Sequence, residues 1–533
     1  MAEDRSSDSW HTATIERDQA LFSELPYGSF PYVASHPDTL ATVATLMGRQ
    51  VPAVATARIL ELGCASGGNL IPMAVEYPGA RLHGIDLTER HIRDGQARIA
   101  ALGLSNVTLD VADLLTIDFG DNVYDYIICH GVYSWVDQAT QQAILRLIKR
   151  HLAPTGIAYV SYNVLPGWQQ RSVIRDIFAF SDTGQGSVPD RVARGRWLLD
   201  QLAKASDQST PYGQMLRREA QHLSDQNDSY LMSEFLVQEN RPCYFKDFAA
   251  DAKAAGLSWL GEAALSYLMQ GAANPQLDQV VRALAGPDDL QYEQYLDFLA
   301  GRQFRQSLLV QDEAAVARKL VPGRLQRLHL SSPLRQQAIE ASEGAEPSAR
   351  RLRDPVTGKS ITTNDPAVIA AFDHLGQRSP ATMPFAEVLQ VAVAAAPEGP
   401  AAQVAERVAQ AVLKLGLAGL CTLRTTPIGA GGAQPVRPCL RPLARQELAD
   451  GQAWITSADH RPVHLGAVAP LARLFDGSRT ADALAAAIAA QIEAGAVAVD
   501  LDGSDSAAQS VRLMQSLLVR FALAGVLAPS ETA

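Results

Sequence analysis

The residues best suited to chemistry lie in ILELGCASGGNL at 59–70 and LHGIDL at 82–87. In the first segment an apolar run reaches Glu61 and then a loop of small residues, Gly63-Cys64-Ala65-Ser66-Gly67-Gly68. In the second, another apolar run ends at Asp86. A carboxylate at each of two strand ends, beside glycines that let the backbone approach a ligand, is how a doubly wound α/β domain grips an adenosine-containing group. A loop built for a dinucleotide reads G-x-G-x-x-G and aims a helix N-terminus at the pyrophosphate. Here the middle glycine is replaced by Ala65, and Glu61 stands two residues before Gly63, where a phosphate site would avoid a carboxylate. The plain alternative is a tight strand-to-helix turn that binds nothing.

These residues need strand ends to hold them. Apolar runs predict strands at 57–62, 81–86, 107–110, 124–129 and 156–163, with helices near 67–77, 88–102 and 137–152. Strands alternating with helices of this length call for a mainly parallel sheet. Residues 1–50 read as a helical preface, with a helix over Thr39–Met47, and 170–215 as a polar helical connection. Residues 216–300 read as mostly helical, and the polar stretch near 340–365 as a loop or boundary. Two units follow, each of helices ending in a short β piece: 366–375, 384–395 and 402–416 before 418–423, then 465–475, 480–493 and 507–524 before 525–527. The chain therefore divides into an N-terminal helical cap (1–50), an α/β domain (51–180), a helical domain (210–310), a connection (311–365) and an α+β winged-helix-like region (366–533). The helices of that region carry few basic residues, so packing or partner recognition is favoured over DNA reading.

A length of 533 residues suits about three domains. The balance of 46 Lys+Arg against 57 Asp+Glu, a net charge of −11, argues against nucleic acid and anionic membrane as partners. Five scattered cysteines lack zinc or redox spacing and suit a reducing cytoplasm, and no metal is expected. The sequence MAEDRSSDSWH does not read as a signal peptide, and no apolar run of about 18 residues suggests stable membrane insertion.

S-adenosylmethionine (SAM) has no phosphate but carries an amino-acid end and a sulfonium, for which the Glu61 carboxylate is useful. The segment from Glu61 to Gly67 resembles the E-x-G-x-G-x-G signature of class I methyltransferases. On that reading the backbones of Gly63 and Gly67 approach methionine and ribose, with Cys64 and Ala65 between them. Asp86, followed by Leu87, takes the two ribose hydroxyls. Asp113 is placed to accept from the adenine amino group, its alternative being a turn or cap aspartate. Small Ala65 leaves space for the methionine.

Ligands of such sheets gather at the carboxyl ends of the strands. There the sequence supplies His130-Gly131-Val132-Tyr133-Ser134-Trp135-Val136 and Tyr162-Asn163-Val164-Leu165-Pro166-Gly167-Trp168. Together with SFPYVASHPDTLA, LELGCASGGNLIPMA, GIDLTERHI, ENRPCYFKDF…GLSWLGEA and RQFRQSLL, these resemble bacterial methyltransferases with a methyltransferase regulatory domain, whose relatives include the rickettsial protein lysine methyltransferases. The resemblance implies a Rossmann-like SAM-binding domain, a helical regulatory domain, a C-terminal domain and a homodimer acting on a protein substrate. Matched by position, Glu61, Gly63, Gly67 and Asp86 would bind cofactor, while His130, Tyr133, Trp135, Tyr162 and Asn163 would line the acceptor site, His130 also bordering the cofactor.

Tyr133 is expected to orient an acceptor amine through its hydroxyl, with Tyr162 second. The alternative for Tyr133 is packing under the sheet edge. Trp135 is a pocket wall or core; His130 accepts a proton or makes a structural hydrogen bond; Asn163 faces the amine or holds its loop. Tyr27, Tyr32 and His36 either close over the cofactor or pack on the domain surface. The functional expectation is N-methylation of protein lysines. Methylation of a small molecule in natural-product assembly and SAM-dependent regulation without turnover are the alternatives.

Overall fold

Strands β1 (Arg58–Leu62), β2 (Arg81–Asp86), β3 (Val107–Val111), β4 (Tyr124–Cys129) and β5 (Leu152–Asn163) follow the five apolar runs. A computed structural model describes residues 17–267, 274–311, 321–337, 348–355, 357–429, 436–495, 497 and 506–528. Parts of the expected cap (1–16), helical domain (268–273), connection (312–320, 338–347 and 356) and C-terminal region (430–435, 496, 498–505 and 529–533) lie outside the described residues. The five strands join two more, β6 (Ser258–Glu262) and β7 (Phe304–Val310), in the order β3-β2-β1-β4-β5-β7-β6. β1 to β5 pair in parallel, and β7 runs against both β5 and β6, so only β7 is reversed. This is a Rossmann-like sheet, and its two faces are covered by separate apolar clusters around Ile59, Tyr126 and Ile157 and around Leu60, Ile127 and Ala158.

Local signals set the intervening helices: α1 (Pro37–Leu46), α2 (Leu70–Glu76), α3 (Glu89–Leu102) and α4 (Gln138–His151). Asp137 caps α4 by accepting from Thr140 N–H at 2.8 Å, and Lys149, Arg150 and His151 end it with positive charge against the helix dipole. Gly103, at φ 64°, closes α3 in the left-handed conformation.

The segment 216–300 is mostly helical as expected, and it also supplies β6. Charge hid this strand and β7. Arg305 in β7 is fully buried and pairs with Glu262 at 2.8 Å, Asp297 at 2.8 Å and Glu293 at 2.9 Å. The expected helical connection forms α5 (Trp168–Ser181), α6 (Val188–Ala205) and α7 (Pro211–Ser224); with α8 (Asp228–Phe235) and helical residues 17–24 it has its own core around Phe178, Leu199 and Phe235.

Residues 350–363, expected as loop, form a hairpin instead: Arg350–Arg353 pairs antiparallel with Ser360–Thr363. Its turn is held by Asp354, which accepts from Thr357 Oγ1 at 2.5 Å, and Leu352 turns fully inward to a core shared with Phe372 and Val408. The final unit is α+β, with the hairpin Trp454–Thr456 and Pro462–His464 against helices Ala481–Glu493 and Ser506–Leu523. Among the described residues, no helix is long and apolar enough to cross a membrane.

Candidate functional site

The carboxyl ends of β1, β2, β4 and β5 open into a cavity of about 540 Å³. Ten of the expected cofactor and acceptor residues line it: Glu61, Gly63, Cys64, Ala65, Asp86, Leu87, Asp113, His130, Trp135 and Asn163. Gly67 lies behind the loop, its N–H donating to Cys64 O at 2.9 Å and its φ of 72° available to glycine at little cost.

Backbone conformation explains the loop's composition. Gly63 has φ 76°, and a Cβ there would meet Val132 Cγ2 at 2.3 Å. Ala65, the residue in place of the expected glycine, has φ 45°, in the left-handed region. The Asp86 carboxylate spans the turn, accepting from Ala65 N–H and from Thr88 N–H, both at 2.9 Å. Cys64 directs its thiol toward the core, and burial pushes that thiol well above its usual range. Asp113 makes the turn bond to Leu115 N–H at 2.9 Å and still borders the cavity.

Glu61 is 3 % exposed. Its Oε1 accepts from Asn69 Nδ2 at 2.6 Å, and its Oε2 has no hydrogen-bond partner. Burial pushes its carboxyl up to about 7; the Asn69 bond opposes this and the nearby Asp86 charge adds to it. Asn163 Nδ2 is likewise buried without a partner. An orphaned carboxylate oxygen and an orphaned amide donor on one cavity fit a ligand with a cationic group and an acceptor, which is the chemistry of an amino-acid end. SAM therefore fits the residues present.

The acceptor-site expectations divide. His130 accepts or donates at Nδ1 with Tyr159 Oη at 2.8 Å, and Tyr32 lies over its ring at a centroid distance of 3.9 Å. Burial lowers its pKa to about 4, so the imidazole is neutral. Trp135 is a cavity wall, edge-on to Trp168, with Arg175 over its ring at 5.3 Å. Tyr133 and Tyr162 are not brought to the cavity. Tyr133 is 2 % exposed against Phe248 and Tyr162, and Tyr162 gives its hydroxyl to Ser307 at 3.0 Å. Strand alternation and the 3-10 turn Tyr133–Trp135 send these side chains to the opposite face, where α9 (Phe245–Ala254) covers them. Tyr27 and Tyr32 close over the cavity, whereas His36 caps α1 by accepting from Asp38 N–H and pairs with Glu76 at 3.3 Å.

The cavity is also lined by residues without a sequence signal: Asp18, Glu234 and Glu239, with Phe22, Tyr230 and Arg171. Burial raises Glu234 to about 7 against the pull of Arg171 and Arg175, and raises Asp18 to about 6. They come from helical residues 17–24 and from α8 and its C-terminal loop, more than 150 positions apart in the chain. Asn69 was visible in GGNL, as the residue entering the helix after the glycines.

Three family models match the chain: "Methyltransferase domain" at 54–219, "Predicted methyltransferase regulatory domain" at 227–311 and "PKMT, C-terminal winged helix domain" at 437–525. An uncharacterized protein of Rickettsia prowazekii is 29% identical over 500 residues, covering 92% of this chain and 89% of that protein. A second protein of that organism is 36% identical over 233 residues, covering 44% of this chain and 93% of the other. The solved structure of PKMT2 from Rickettsia typhi in complex with AdoHcy superposes with a TM-score of 0.83 at 25% identity, covering 94% of this chain and 100% of that one.

Proposed function

Because the chain belongs to the SAM-dependent methyltransferases that carry a methyltransferase regulatory domain and a PKMT winged-helix domain, we propose that it N-methylates lysine side chains of a protein substrate. The supporting observation is the lining of the cavity, which combines the orphaned Glu61 Oε2 with the carboxyl groups of Asp18, Glu234 and Glu239 and with aromatic walls. The name PKMT, protein lysine methyltransferase, on the superposed structure supports the same reading.

On this reading Glu61 and Asn163 meet the amino-acid end, Gly63, Cys64, Ala65 and Gly67 shape the loop around it, and Asp86 with Leu87 takes the ribose. Asp113 lies at the adenine side. SAM supplies a methyl carbon bonded to a sulfonium, so the acceptor must arrive as a free amine with its lone pair available. Deprotonating a lysine of pKa about 10.4 at pH 7 costs roughly 4–5 kcal/mol. The carboxyl groups attract the ammonium, and desolvation between aromatic walls such as Phe22, Trp135 and Tyr230 lowers its pKa. Glu234 then takes the proton more readily than His130, whose pKa lies about three units lower. The amine nitrogen bonds to the methyl carbon as the carbon–sulfur bond breaks, and its electron pair stays on sulfur. We read the active species as a cytoplasmic homodimer that engages protein and not nucleic acid, with the net charge of −11 as support.

Incubation of the protein with isotopically labelled SAM and lysine-bearing proteins, followed by mass spectrometry of the digests, tests the reading. Label on lysine Nζ is expected. Label confined to small molecules overturns it.

A further inference from the structure

We propose that His460, in the turn between the two strands of the C-terminal hairpin, is a positioning residue for the cofactor: it fixes the Asn69 carboxamide, which fixes Glu61 with Oε2 turned to the ammonium of SAM. The inference rests on the cofactor role of Glu61 given above.

His460 is 2 % exposed, and its Nε2 lies 2.8 Å from Asn69 Oδ1. The orientation of Asn69 is set independently. Tyr32 N–H, which can only donate, faces the same Oδ1 at 3.0 Å, so the amide nitrogen must face the other way. There Nδ2 donates to Glu61 Oε1 at 2.6 Å and to Ser35 Oγ at 3.1 Å. Every polar valence of Asn69 is thus used, and one oxygen of Glu61 is left for a ligand. Burial, with nearby His36 and Arg424 adding to it, holds His460 well below the usual histidine range. Neutral His460 facing an acceptor carries its proton on Nε2.

The hairpin is shaped to deliver this side chain. His460 has φ 61°, a left-handed conformation that is strained for a non-glycine residue. Bonds from His460 N–H to Ser457 O at 3.1 Å and from Ser457 N–H to Arg461 O at 2.9 Å close the turn around it. Beside it, Trp454 packs on Phe30 at 5.2 Å, next to Ser29, whose Oγ accepts from Gly68 N–H at 2.7 Å. The C-terminal module therefore presses the segment 29–35 onto the cofactor loop and finishes one end of the site. Displacing the module releases Asn69.

The full-length protein is titrated calorimetrically with S-adenosylhomocysteine, which has the amino-acid end, and with 5′-methylthioadenosine, which lacks it. His460→Leu is expected to weaken S-adenosylhomocysteine by roughly tenfold, the worth of one buried hydrogen bond. It should leave 5′-methylthioadenosine unchanged, and His460→Gln, which restores a donor, should recover most of the loss. In an Asn69→Ala background His460→Leu should add nothing. If His460→Leu does not fold, His460→Asn, polar but too short to reach Asn69, is measured in its place. Wild-type affinity in the variant, equal losses for both ligands, or losses additive with Asn69→Ala would overturn the proposal. Wild-type protein that binds both ligands equally would instead overturn the role of Glu61, separating that failure from this one.

Discussion

The rings of Tyr162 and Phe248 stack with centroids 4.1 Å apart and an interplanar angle of 24°, which places Tyr162 in the core between the sheet and α9. Its hydroxyl and that of Tyr133 therefore do not reach the cavity. Tyr133→Phe and Tyr162→Phe are expected to keep kcat within about twofold of wild type. Tyr162→Phe should lower the unfolding free energy by about 1 kcal/mol through loss of the Ser307 bond. Steady-state kinetics and denaturant titration check this, and a kcat loss beyond tenfold in either variant would return that hydroxyl to the chemistry.

Glu61 makes cofactor affinity depend on pH. With its carboxyl near 7 in the free protein, binding an ammonium favours the ionised form, so affinity should fall as pH drops below about 7. At pH 6, binding should release a proton, measurable by calorimetry in buffers of different ionisation enthalpy. The stability sign is opposite. A carboxyl raised from 4.5 to about 7 stabilises the free protein below 4.5, and that contribution is lost as pH rises toward 7. Glu61→Gln should remove this slope relative to wild type and weaken S-adenosylhomocysteine at pH 8.

Glu234 and Asp18 are expected to serve the acceptor and not the cofactor. Glu234→Gln should reduce kcat/KM for a lysine substrate by about 10²-fold, within the usual range for a proton acceptor, while calorimetric affinity for S-adenosylhomocysteine stays within twofold. Asp18→Asn should act chiefly through KM. Equal loss of cofactor binding in either variant would place these carboxylates differently.

Arg424 joins the C-terminal region to the α/β domain. It lies 3.2 Å from Asp38 and donates to Glu76 at 2.5 Å, and all three are largely buried. Although burial pushes Glu76 up, His36 and Arg424 outweigh it and hold this carboxyl far below its usual range. Arg424→Leu leaves two carboxylates without that partner and should destabilise the protein by about 3–5 kcal/mol. Differential scanning calorimetry measures this, and an unchanged Tm would show that the pair contributes nothing net.

The sequence by itself determined the five parallel strands, the glycine loop and the two carboxylates at Glu61 and Asp86, because each is a local signal: an apolar run, a φ requirement, or a charge at a strand end. It also carried the winged-helix-like plan of the tail through helical periodicity. Tertiary structure alone decided which way Tyr133 and Tyr162 point, since one-residue alternation at a strand end and a following 3-10 turn determine the face. It alone made β7 an interior strand between β5 and β6, because Arg305 reads as exposed until Glu262, Glu293 and Asp297 come together around it. And it alone brought Asp18, Glu234 and His460 to the cavity or to Asn69, since residues hundreds of positions apart share a site only through packing and leave no periodic trace in the chain.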